Sequence, residues 1–230
     1  MSAPIFLSTA VIVEIILLFW VSHLTLNELF YFLRIFLKND QVIYAIVSVF
    51  FLPGTIVHEM GHFVAATVMM LRVYSVNIFP QWEKNQIKLG SVIYEKKDIV
   101  RSILVGIAPI FFAFFFFWFL ARFKMFPGQN FWLNILFGYI VFTVSSTMFS
   151  SKKDLVDLAF IIPLIIVIIG LIYIFDIRVD LIFKNKLFIE RLVNFFKDIN
   201  FYLLFSLAIN ILLIFIFKSF RFLLKKWKII

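Results

Sequence analysis

Apolar runs of membrane-crossing length alternate with short polar breaks along almost the whole chain. The runs cover about Ile5–Leu33, Gln41–Leu71, Asp98–Phe123, Asn130–Phe149, Leu155–Phe175 and Phe201–Phe217. A helix needs roughly 20 apolar residues to cross the hydrocarbon layer, so the pattern predicts about six transmembrane helices. The first run reads as one long helix or as a span with an interfacial extension. The second is interrupted by Pro53-Gly54, which predicts a kink or break, with Thr55 as the N-cap of the helix that follows. Pro163 lies inside the fifth run.

Two stretches depart from this pattern. Residues 72–97 are rich in β-branched and aromatic positions, and Val73–Phe79 and Ile87–Tyr94 read as two short strands joined by a turn at Pro80–Asn85. Unpaired backbone groups are costly in lipid, so such a hairpin must sit in protein, in a cavity or at the interface. Within Asp176–Asn200, Leu181–Phe196 carries apolar residues at helical spacing with Lys184, Lys186, Glu190, Arg191 and Asn194 between them. That spacing predicts an interfacial amphipathic helix before the last span.

Composition fixes the class. Of 230 residues, 63% are hydrophobic, 20% aromatic and only 15% charged, and mean hydropathy is +1.05. A soluble fold of this length cannot hide that much apolar surface, so the fold class is an all-α polytopic membrane protein carrying a small β-hairpin. It reads as one integral membrane domain over residues 1–230. The core covers about 41–175, and the amphipathic segment and last span fill 176–230. The net charge of +9 sits at the ends of the apolar runs. That is the pattern of topology-setting charge rather than of nucleic-acid binding. On six spans, the larger share of Lys and Arg falls on the side of both termini and the hairpin, which predicts that side as cytoplasmic. Residues 5–22 lack a basic leader and a cleavage signature, so they read as a retained span.

Candidate chemistry is concentrated in His58-Glu59-Met60-Gly61-His62, which holds two of the chain's three histidines. Residues four apart on a helix share a face, so both imidazoles can bind one Zn²⁺ and Glu59 can serve as general base. There is no cysteine, so any metal must take nitrogen and oxygen ligands. A catalytic zinc takes three protein ligands. Asp154, Asp157, Glu190, Glu14 and Asp98 are the candidates for the third. Asp154 and Asp157 open an apolar run, where an ordinary helix N-terminus also favours carboxylates. Glu14, between Val13 and Ile15, marks either a polar cavity or a hydrogen-bonded carboxyl between helices.

The HEMGH helix, the hairpin-like stretch after it, Gly106-Ile107-Ala108-Pro109 in the next run and Asp154 opening a later one resemble the site-2 protease type of intramembrane metalloprotease. The resemblance covers roughly Val49 to Leu158, and HEMGH is its sharp part. In that family the third ligand is an aspartate in a motif N-x-x-P-x-x-x-L-D-G. Here Ser150-Ser151-Lys152-Lys153-Asp154-Leu155 supplies the aspartate without the asparagine, the proline or the following glycine. The resemblance implies a divergent member, a zinc metalloendopeptidase that cuts peptide bonds in or near transmembrane segments. It implies His58, His62 and Asp154 as ligands, Asp157 in reserve and Glu59 as base. It also implies a multi-pass protein of a prokaryotic cell membrane with its site near the cytoplasmic side. A hairpin edge through Val73, Ser75, Asn77, Ser91 and Ile93 would hold an unwound membrane-protein or peptide substrate by strand addition. Three alternatives stand beside it: a membrane zinc protease using Glu190 as third ligand, an inactive metal-binding scaffold, and a transporter or channel marked by Glu14, against which the lack of an internal repeat counts.

Overall fold

The computed structural model describes residues 2–79, 81–83, 86–88, 90–148 and 185–226. Six helices and four short strands make up this part: α1 (Ser2–Phe36), α2 (Asp40–Phe50), α3 (Leu52–Val68), β1 (Val73–Asn77), β2 (Gln81–Glu83), β3 (Gln86–Lys88), β4 (Ser91–Tyr94), α4 (Ile99–Arg122), α5 (Phe131–Thr147) and α6 (Lys186–Lys226). The fifth apolar run, with Asp154, Asp157 and Pro163, lies outside the described residues.

The stretches Pro4–Phe36, Ile99–Arg122 and Lys186–Leu224 are long and apolar enough to cross a membrane, and the broken pair α2–α3 makes a fourth if counted as one. Large apolar side chains such as Trp20, Phe111 and Phe215 point outward from them. Three such helices suggest a membrane protein.

The first run is one helix of 35 residues. The amphipathic segment and the last span are also one helix, of 41 residues. The sequence predicts a separate interfacial helix there. The two join because the buried face runs on without interruption through Ile199, Tyr202, Leu203 and Leu207.

α1 and α6 pack side by side and run parallel. The Asn200 side chain donates to the Leu7 carbonyl at 3.1 Å, Thr25 donates to the Asn210 carbonyl at 3.4 Å, and Phe32 stacks on Phe217 at 4.9 Å. Beyond these, Arg221 pairs with Glu28 at 2.8 Å. A membrane crossed by both helices would have their N-terminal ends on one face.

α2 runs back along α1. Asp40 pairs with Arg34, Tyr44 packs on Phe30, and Ile43 and Val47 pack with Leu26, Leu29 and Leu33. At Phe51 the chain bends by 70° into α3. The sequence predicts a break at this place but puts the cap at Thr55. Instead α3 starts at Leu52, no side chain caps it, and Pro53 occupies its first turn. A proline there costs nothing, since its missing N–H would have been unsatisfied anyway. Thr55 is one turn inside, its hydroxyl donating to the Phe51 carbonyl at 3.2 Å.

α3 is held between α4 and α5 by glycines. A Cβ on Gly54 would collide with the Thr143 carbonyl oxygen of α5, and one on Gly61 would stand 2.8 Å from the Pro109 Cα of α4. These are helix-to-helix backbone contacts that only a missing side chain permits. α3 and α4 run antiparallel, with Gly61 at Pro109 and the Met69 carbonyl accepting from Arg101 at 3.2 Å.

The hairpin lies between them. β1 pairs antiparallel with β4 through Ser75↔Ile93, Val76↔Val92 and Asn77↔Ser91, with an irregularity between Val73 and Ser75. β2 pairs with β3 in a separate ladder. The strands are shorter than expected, and the segment read as a turn, Pro80–Asn85, contains β2. The base of the hairpin is anchored where Val73 and Tyr94 pack on Ala66, Leu71 and Val105.

Candidate metal centre

α3 carries its polar residues inward. His58 and Glu59 are buried and His62 is half-buried, because this helix has neighbours on two sides. The Nε2 atoms of His58 and His62 face one another at 3.2 Å. Two nitrogens bound to one tetrahedral zinc at ~2.05 Å lie about 3.3 Å apart. The pair therefore fits a single metal ion as it stands.

The orientation of His62 comes from α4. Its Nδ1 lies 2.8 Å from the Val105 carbonyl oxygen. A carbonyl only accepts, so Nδ1 carries the proton and Nε2 is left with its lone pair toward His58. In an ordinary helix Val105 would accept from the backbone N–H four residues on. That residue is Pro109, inside α4, which has no N–H. Pro109 thus frees the acceptor that His62 uses. Gly61 lets the two helices come close enough for it.

Glu59 lies under the hairpin. A Cβ on Gly90 would stand 2.7 Å from the Glu59 Cγ and 2.8 Å from its Oε1. The main chain leading into β4 therefore touches the side chain of the candidate base. Val73, Ser75 and Asn77 alternate as the half-buried face of β1, Ser91 is buried and Ile93 is exposed. Among the described residues the outer edges of β1 and β4 carry no further strand.

The third ligand is not among these residues. Among the described residues no group of three His, Cys, Asp or Glu side chains is placed to hold a metal. Asp154 and Asp157 lie outside them. Glu190 is exposed in the first turns of α6. Asp98 caps α4, accepting from the Arg101 N–H at 2.8 Å. Glu14 is buried on the inner face of α1 with Val11 and Leu18. His23, the remaining histidine, is exposed, with its ring tilted against Phe19 at 4.6 Å.

Behind α3, α5 offers a buried polar face of Thr143, Ser145, Ser146 and Thr147. Asn210 of α6 joins it, donating to the Ser146 hydroxyl at 3.1 Å and to the Ser206 carbonyl at 2.9 Å. The serines and threonines were visible in the sequence as the end of a span. Their partner on α6 was not. Val105, Gly90 and the role of Pro109 were also missed, since a backbone carbonyl leaves no mark in a sequence. Gly61 did leave one: a glycine in a helix interior is unfavourable unless something needs the space.

Compared with family models, with curated proteins and with solved structures, the chain gives no match.

Proposed function

We propose that the chain is an intramembrane zinc metalloprotease of the site-2 protease type. The observation that carries this reading is the pair of Nε2 atoms 3.2 Å apart, one of them oriented through Val105, with a buried glutamate between them in sequence. His58 and His62 hold the metal, and Asp154 supplies the third ligand with Asp157 in reserve. Bound zinc polarises a peptide carbonyl as a Lewis acid and makes water acidic enough to be activated near neutral pH. Glu59 takes the proton from the attacking water and returns it to the leaving amine, so one carboxylate serves both halves of the hydrolysis. The substrate is a membrane-protein segment that must unwind before its peptide bonds are accessible, and the open edges of β1 and β4 give it backbone partners.

We read the protein as multi-pass, and the parallel α1–α6 pair supports one topology. The C-terminal end of α4 meets α6 at Tyr202, where Phe117 packs at 5.4 Å and the Phe126 carbonyl accepts from the tyrosine hydroxyl at 2.7 Å. This is the level at which α6 leaves its charged first turns. The α4–α5 connection then lies with the N-terminal ends of α1 and α6, and the hairpin lies with their C-terminal ends. The α2–α3 pair enters and leaves on that same side as a re-entrant element. Among the described residues α1, α4, α5 and α6 are the passages of this topology, and the fifth apolar run of the sequence is the expected return between α5 and α6. Arg34, Lys38, Arg72, Lys96, Lys97, Arg101, Lys218 and Arg221 fall on the hairpin side, against Arg122, Lys124, Lys186, Arg191 and Lys197 on the other. The positive-inside bias makes the hairpin side cytoplasmic and the N-terminus external.

Metal analysis of the purified protein beside His58→Ala, Asp154→Asn and Asp157→Asn variants tests the site. One zinc per chain, lost with His58 and with one of the two aspartates, is expected. Retention of zinc in both aspartate variants removes the ligand assignment. Cleavage of membrane-protein substrates by the wild type, abolished in Glu59→Gln with zinc retained, tests the reaction. A zinc-loaded wild type without cleavage leaves a metal-binding scaffold.

A further inference from the structure

Gly90 stands between the hairpin tip and β4. Among the described residues no glycine has a positive φ, so Gly90 is not there to permit a turn that other residues resist. What it supplies is space. A Cβ at this position would lie 2.7 Å from Cγ, 2.8 Å from Oε1 and 3.0 Å from Cδ of Glu59. Real Cβ atoms do not approach other heavy atoms so closely. The atoms in the way belong to the end of a flexible side chain and not to a backbone.

We infer that Gly90 is a positioning residue for Glu59: the bare main chain of the hairpin forms the wall that sets where the carboxylate rests. This rests on the reading of Glu59 as general base and adds to it the element that orients the base. The wall belongs to the strand pair proposed to hold substrate, so a displaced β4 and a displaced carboxylate are one event. A methyl group at position 90 moves the Glu59 side chain before it moves a helix. His62 is oriented from α4 through Val105 and His58 faces it across the Nε2 pair; neither contact involves position 90.

Two experiments test this. The chain has no cysteine, so a Glu59→Cys/Gly90→Cys pair can be oxidised without competing thiols. Glu59 Cβ is one bond from the Cγ that a Cβ at position 90 would meet at 2.7 Å, so the two Cβ atoms can be no more than about 4.2 Å apart, within reach of a disulfide, which needs about 3.5–4.5 Å. An intramolecular disulfide, absent from each single variant, is expected under mild oxidation; its failure to form in the folded protein overturns the contact. In the zinc-loaded enzyme, Gly90→Ala should lower kcat roughly tenfold to a hundredfold and leave KM for a peptide substrate within about twofold. Zinc content should not change. A cleaving wild type with Gly90→Ala at the same kcat removes the role of Gly90 alone. A wild type that does not cleave removes the base, and with it the residue that positions it.

Discussion

His62 and Pro109 meet at one carbonyl. The Val105 oxygen that accepts from His62 Nδ1 at 2.8 Å is the one that an N–H at position 109 would otherwise claim. Proline at 109 therefore does more than interrupt a helix: it keeps an acceptor open for a histidine that comes from another helix. Pro109→Ala restores a competing N–H while removing an unfavourable residue from the helix interior. The expected result is a chain at least as stable as the wild type whose zinc affinity is about tenfold weaker, since losing an outer-shell partner typically costs ~10–100-fold. Competition with a chelator of known affinity measures it; unchanged affinity would show that His62 keeps its orientation without α4.

Gly61→Ala attacks the same contact from the other side. The added carbon must stand 2.8 Å from the Pro109 Cα, where a backbone cannot yield as a side chain can. Both stability and zinc content should fall, in contrast to Pro109→Ala. Thermal unfolding in detergent and metal analysis on one preparation separate the two variants.

Asn210 is fully buried and bridges α6 to Ser146 of α5. Hydrogen bonds between helices in membranes are worth on average ~0.6 kcal/mol and at most about 1.7 kcal/mol. Asn210→Leu should therefore destabilise the protein by about 1 kcal/mol without touching zinc binding. Reversible unfolding in mixed micelles reads this directly. A loss of zinc would mean that the polar face of α5 reaches the metal site.

The topology makes a prediction with no enzymology in it. Lys38 and Lys96 are exposed beside the C-terminal end of α1 and the hairpin, and Gln129 is exposed in the α4–α5 connection. In this cysteine-free chain, Lys38→Cys and Lys96→Cys should react with a membrane-impermeant thiol reagent only when the cytoplasmic face is opened. Gln129→Cys should react in intact cells. Labelling of all three from the same side excludes a crossing by α4.

What could be read from the sequence alone follows from how local each feature is. The helices, the break near Pro53 and the strands after α3 were legible because apolar runs, proline and β-branched residues act within a few positions. The histidine pair was legible because a spacing of four fixes a face. The partner of α1 was not, since hydropathy gives the number of apolar runs and says nothing of which run lies beside which. The side on which each terminus lies rested on a small charge difference and on that span count. The Val105 acceptor and the space above Glu59 are properties of main chain brought together from three elements. Only a glycine or a proline can hint at such things. Asp154 and Asp157 fall outside the described residues, so their place relative to the histidines rests on the resemblance.

The parallel pairing of the first and last helices also sets the order of assembly. Thr25 and its partner Asn210 are 185 residues apart, and Leu7 and Asn200 are 193 apart. The inner face of α1, with Val11, Glu14 and Leu18, is made well before the α6 face that closes on it. Until then a carboxyl and a row of apolar side chains that the fold buries stay uncovered. The seam between the two helices is therefore among the late contacts of this fold, and any chain that stops short of α6 is left with an open seam along α1.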